Sequence, residues 1–168
     1  LGELLQNPEI GRLNLNLKSK ASGNNLNTLT GDINASVNQF TYSDYTFNDI
    51  DIKGGLENGQ GSFSTEYKDK NLNLDLDSTI NIDSTKTAVS ANLNLKGADL
   101  YELGFTERAI KTGFKLNIDF ITQEDVYKAQ AEFNEGVVVY NNETYLIGDL
   151  ESSAYVSGDS TSVDIDNQ

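Results

Sequence analysis

Apolar residues at every second position are the strongest constraint on how this chain can fold. Leu13, Leu15 and Leu17 alternate with Asn14, Asn16 and Lys18, and Ile33, Ala35 and Val37 alternate with Asn34, Ser36 and Asn38. The same rhythm returns in Leu72, Leu74 and Leu76 against Asn73, Asp75 and Asp77, and in Leu116, Ile118 and Phe120. Successive side chains of a strand point to opposite faces, so each run describes a strand with one dry and one wet face. The expected class is all-β.

The stretch from Leu29 to Ile52 reads as a hairpin. Its alternation is interrupted at Ser43 and Asp44 and resumes with Tyr45, Phe47, Ile50 and Ile52. Asp and Ser suit a tight bend because their side chains bond nearby backbone. A similar pattern recurs about 100 residues on, the length of a duplicated supersecondary unit rather than of a solenoid coil. Ile50 then meets Leu150, Asp49 meets Asp149, Tyr42 meets Tyr140 and Ile10 meets Ile110, while Leu1-Gly2-Glu3-Leu4 faces Leu100-Tyr101-Glu102-Leu103. The division predicted is a first β repeat over 1–97 and a second, partial repeat over 98–168, on one continuous sheet.

Between the strands lie the breaks. Leu1, Leu4 and Leu5 have helical spacing before Pro8 stops them, and Ala98 to Gly104 forms a second short helix with Leu100 and Leu103 on one side. Gly54, Gly55, Asn58, Gly59 and Gly61 mark bends, since glycine accepts positive φ freely. Later strands are expected at Val89 to Leu95, Ala129 to Phe133, Val137 to Tyr140, Tyr145 to Leu150, Ala154 to Ser157 and Val163 to Ile165.

Composition removes whole classes of function. The chain has 168 residues, with Lys and Arg numbering 12 against 26 Asp and Glu, a net charge of -14. Such a surface repels phosphate backbones, so no nucleic-acid partner is expected. His and Cys are absent, which removes the usual catalytic triads and imidazole or thiolate metal sites. Asp49 with Asp51, Asp75 with Asp77, and Asp164 with Asp166 have the spacing of one strand's wet face and read as solvated surface. No catalytic residue, metal or cofactor is assigned. Asn34-Ala35-Ser36 and Asn142-Glu143-Thr144 fit the glycosylation pattern, which chance supplies in so Asn-rich a chain. The longest apolar run, Val137 to Tyr140, is far below the roughly 20 residues of a bilayer helix. With no Met anywhere and Leu1 first, the chain reads as a mature or excised piece of something larger.

The dry faces leave a choice. With two short helices to cover them, they either close as a β-sandwich or curve into an open trough that something apolar fills. The trough would be lined by Leu13, Leu15, Leu17, Ile33, Val37, Phe47, Ile50, Ile52, Leu72, Leu74, Leu76, Leu93, Leu95, Leu116, Ile118 and Phe120. That wall is aliphatic and lacks Trp and Met, so it suits acyl chains, which bind by burial of area without directional contacts. Tyr42, Tyr45, Phe47, Tyr140 and Tyr145 read as hairpin packing in preference to a carbohydrate platform.

The order of these pieces resembles a known family. LGELLQNPEIGRLNLNLK is followed by LTGDINASVNQFTYSDYTFNDIDIKGGLENGQGSFS, then NLNLDLDSTINI, then ANLNLKGADLYELGF. This is similar to the repeat of the TamB-type, AsmA-like proteins of Gram-negative bacteria: short helix, strand, G-x-I-x-A hairpin, F-x-Y-x-x-Y-x-F-x-x-I, a glycine-punctuated return, an N-L-x-L-x-L strand and A-D-L-x-x-L. The resemblance covers almost the whole chain. It implies an elongated curled antiparallel sheet, a β-taco with an open hydrophobic groove, in a periplasmic rod linked to phospholipid passage between membranes and to outer-membrane assembly. Implied partners are phospholipid acyl chains, neighbouring repeats of the same chain, and an outer-membrane barrel met through regions outside this segment. The inner-membrane anchor would also lie outside it.

Three functional classes therefore compete: a lipid-binding section of a transfer protein, a closed structural or adhesive β-domain of a secreted protein, and a fragment of a membrane barrel. The last is disfavoured by runs shorter than the roughly 9 to 11 residues a spanning strand needs and by missing aromatic girdles.

Overall fold

Each alternating run becomes a strand, and each strand pairs with its neighbour in sequence. The computed structural model describes residues 9–158 and 160–167. Its strands are β1 (Ile10–Ser22), β2 (Thr30–Tyr42), β3 (Tyr45–Glu57), β4 (Gln60–Lys68), β5 (Leu72–Ile82), β6 (Lys86–Asp99), β7 (Ile110–Gln123), β8 (Val126–Tyr140), β9 (Glu143–Ile147), β10 (Leu150–Ser157) and β11 (Ser160–Asn167). They form one 11-stranded antiparallel sheet in chain order, except that β9 and β10 share β8 as partner. The sheet is curled and open, and it does not close into a barrel. The closed β-sandwich is thereby ruled out for the described residues, because a sandwich needs a second sheet.

The turns carry the chemistry expected of them. Ser43 and Asp44 join β2 to β3 with Tyr42 opposite Tyr45. Asn58 and Gly59 have φ of 50° and 76°, and Asn141 and Asn142 have 52° and 61°. Two left-handed residues in a row give a turn whose twist matches that of the flanking strands, and Asn and Gly tolerate it best.

Several expectations need correction. Ala98 to Gly104 is no helix: β6 runs to Asp99, and Leu103 N–H donates to the Asp99 carbonyl at 3.0 Å in a single turn. Gly104, at φ 79°, ends it there. The predicted helix at Leu1 to Gln6 lies outside the described residues. Gly54, Gly55 and Gly61 sit inside β3 and β4 and do not bend the chain. At Gly54 the missing side chain makes room for a ring, since a Cβ there would lie 2.3 Å from Phe63 Cδ1. The runs around Phe133 and Val137 fuse into β8 through a left-handed Glu135, φ 53°, whereas the run from Tyr145 to Leu150 splits into β9 and β10. The strands are also longer than the apolar runs suggested, 13 residues for β1 to β3 and 15 for β8. Length therefore does not argue against a fragment of a membrane barrel.

Among the described residues, one cluster of buried side chains sits at the end of the sheet where β6 gives way to β7. Phe47, Tyr67, Leu95, Ala98 and Leu103 form it, with Phe40, Tyr45, Leu72, Leu74, Leu100 and Phe114 packed around them. Leu103 is 1% exposed. The connection carrying it also sets Phe105 against Tyr42, ring centroids 5.5 Å apart. A connection leaving β6 thus reaches back to the end of β2, so the sheet at this end is wrapped around a plug.

Candidate functional site

Strand pairing carries one apolar row across nearly the whole sheet. Leu17 lies opposite Ala35, then Ile52, Thr65, Leu76, Leu93, Leu116, Phe133 and Leu150. Two residues along each strand, Ile33, Gly54, Phe63, Ser78, Ala91, Ile118 and Ala131 form a parallel row. The next contains Leu56, Gly61, Ile80, Val89, Phe120 and Ala129. Toward the plug, Leu15, Val37 and Ile50 make one row segment, and Tyr67, Leu74, Leu95 and Phe114 another. Because alternate residues share a face, these rows form a single apolar surface.

Every predicted lining residue falls on this surface, in two environments. Phe47 and Leu95 are buried in the plugged cluster, with Ile50, Leu72 and Leu74 packed against it. Leu76, Leu93, Leu116, Ile33, Val37 and Ile52 are half-buried along the curve. Leu13, Leu15 and Leu17 on the β1 edge are 40%, 49% and 58% exposed, and Ile118 and Phe120 are 40% and 37% exposed. Exposure thus rises away from the plug and toward the edge, as in a trough closed at one end. Beyond the plug, no second layer covers this face among the described residues.

Other residues on the face escaped the sequence reading. Phe63, Ile80, Phe114, Phe133 and Leu150 all lie in its rows. Their alternation was visible; what singles them out is register, which is set by pairing. Thr65 is more unusual, since its hydroxyl is buried within the main row with no hydrogen-bond partner. An unsatisfied buried hydroxyl costs about 1–3 kcal/mol. Thr65→Val, equal in shape, is expected to stabilise the protein by about 1 kcal/mol in urea titration; a loss of stability would show that the hydroxyl is satisfied in solution.

At the mouth of the plug lies a small polar network. Asp69 accepts hydrogen bonds from the Tyr45 and Tyr67 hydroxyls, the latter at 2.8 Å, and from the backbone N–H of Asn71 and Leu72 at 2.7 Å each. Burial alone would raise its pKa, but these four donors outweigh that and hold the carboxyl below its usual range. Burial and the same carboxylate push the Tyr67 hydroxyl up to about 12 and raise Tyr45 as well. The network fixes the β4–β5 turn against the aromatic cluster.

The opposite face is built for water. Lys96 pairs with Asp75 at 2.5 Å and Lys115 with Glu135 at 2.6 Å, and Ser36 donates to Asp51 at 2.6 Å. Among the described residues no group of His, Cys, Asp and Glu has the arrangement to hold a metal ion, and no helix is long and apolar enough to cross a membrane. What the arrangement offers is an uncovered aliphatic surface, closed at one end, beside water. Compared with known proteins, the chain matches no family model, no curated protein and no solved structure.

Proposed function

We propose that this chain is a section of a periplasmic intermembrane lipid-transfer or outer-membrane assembly protein that shields acyl chains in its aliphatic trough. The observation that carries the reading is the uncovered apolar face of a single curled sheet. Large exposed apolar patches are rare on soluble proteins unless something binds there, and each methylene moved from water onto this wall contributes about 0.8 kcal/mol. The mechanism is passive. Tails lie along the rows from Leu17 to Phe133 while head groups stay in water at the trough's lip. The sequence resemblance to the TamB-type family supports the same reading, and contact with a barrel partner would lie in regions outside this segment.

Native mass spectrometry of gently purified protein tests it directly. Phospholipid should co-purify with the wild type and be lost from Leu116→Asp, whose circular dichroism should be unchanged because position 116 borders an open trough. A clean, lipid-free wild-type spectrum would sink the proposal, as would Leu116→Asp that fails to fold, since a carboxylate unfolds a sealed core.

A further inference from the structure

The two margins of the sheet, β1 and β11, stand in a relation that the lipid reading does not use. β1 pairs only with β2 and β11 only with β10, so each leaves one side of its backbone N–H and C=O groups without a strand. Every residue of β11 is exposed, as is every residue of β1 after Ile10. An unpaired edge of this kind is a template for another strand.

The margins carry opposite charge. In a chain of net charge -14, β1 holds Arg12, Lys18 and Lys20 and no acid, whereas β11 holds Asp164 and Asp166 and no base. None of these side chains makes an ion pair or hydrogen bond among the described residues. Asp32 lies across from Lys20, but its Oδ1 leans the other way, 3.2 Å from where a Cβ on Gly55 would sit.

These charges are also in register. Followed from partner to partner, the row that starts at Lys18 on β1 ends at Asp166 on β11, and the row that starts at Lys20 ends at Asp164. On the apolar face, the rows from Ser19 and Ala21 end at Ile165 and Val163, which are 71% and 63% exposed. Because β9 stands off the path, the path from one margin to the other has ten strands. An even count makes the margins antiparallel to each other. Bonded and non-bonded pairs alternate in such a ladder, so the two free edges also present the same kind at each height.

We infer that β11 of one copy of this chain docks on β1 of the next, a head-to-tail pairing that extends the sheet and both of its faces. Laid in register, the second copy sets its Lys18 opposite Asp166 and its Lys20 opposite Asp164, while Leu17, Ser19 and Ala21 cover Val163 and Ile165. Charges on an edge ordinarily keep strands apart. Here they separate only like margins, since cations meet cations or acids meet acids in those pairings, and opposite charges across a strand pair attract. Two different surfaces meet, so the contact is heterologous and adds copies in one direction. It does not depend on what the trough holds.

Sedimentation velocity over a concentration series tests the pairing with charge reversals. The wild type is expected to associate in the micromolar range, less so with added salt. Lys18→Glu with Lys20→Glu makes both margins acidic, and Asp164→Lys with Asp166→Lys makes both basic. Each double variant should weaken self-association at least about tenfold with circular dichroism unchanged, and an equal mixture of the two should restore it. Since the chain has no cysteine, Lys18→Cys and Asp166→Cys proteins mixed under oxidation should link to each other in preference to themselves. That readout stands even where a charge reversal fails to fold. The inference is refuted by a wild type that stays monomeric throughout, by association that survives either reversal, or by cysteine variants that link only to their own kind. All the reversed side chains lie on the polar face, so phospholipid retention by the trough should be unchanged and the two proposals fail separately.

Discussion

Leu103→Ala is expected to lower stability by about 3 kcal/mol in chemical denaturation, near the middle of the range for buried leucine truncation. The side chain is 1% exposed among Phe47, Tyr67, Leu95 and Ala98, so its removal leaves a void lined by rings that cannot all collapse. The loss should exceed that of Leu17→Ala, since Leu17 is 58% exposed and gives up little buried area. For a chain this size, about 3 kcal/mol corresponds to a fall in Tm of roughly 6 to 12 °C. Equal effects of the two substitutions would mean that the connection after β6 does not plug the curl in solution.

Asp69→Ala should cost about 2–4 kcal/mol, because it strips acceptors from two tyrosine hydroxyls and two backbone N–H groups at once. Asp69→Asn should cost less, since one acceptor oxygen remains. The pH dependence has a definite sign. The folded carboxyl is held below its ordinary value, so its contribution is fully present above about 4, the unfolded pKa, and disappears as pH falls through the depressed folded value. The tyrosines run the other way. Their raised pKa values favour the folded state below about 10, and that contribution is lost as pH climbs toward about 12 for Tyr67. Stability measured against pH should therefore fall at both extremes, and Asp69→Ala should flatten both limbs. Limbs as steep as the wild type's would remove this network from the causes.

The two faces of the sheet were legible because strand side chains alternate, and Leu13, Leu74 and Leu116 announce their side without any knowledge of neighbours. What alternation could not reveal is where it slips. Val37 and Phe40 are three apart yet both pair into the apolar surface, because Asn38 and Asp49 are skipped in the β2–β3 register, with Asp49 at φ 57°. Such an insertion is defined by two strands together, so a single run of residues does not encode it visibly. The plug was misread differently: Leu100 and Leu103 have helical spacing, and one helical turn does form before Gly104 ends it. Its purpose is to deliver Leu103 into the curl, which only the tertiary arrangement discloses. Ile10 at the start of β1 pairs with Tyr42, and Ile110 at the start of β7 pairs with Tyr140.

Because nearly every strand hydrogen-bonds to the one before it in sequence, cooperativity in this protein passes mainly hand to hand along the chain. Neighbour-only coupling of this kind lets a molecule gain or lose order one hairpin at a time, as in linear arrays, and short-range pairing lowers the entropy of each closure. The plug ties distant strands together, through Leu103 against Phe47 and Tyr67 and through Phe105 against Tyr42. Melting should accordingly begin at β11, the free margin remote from that tie, and creep inward, while the strands around Leu103 surrender last and as a block.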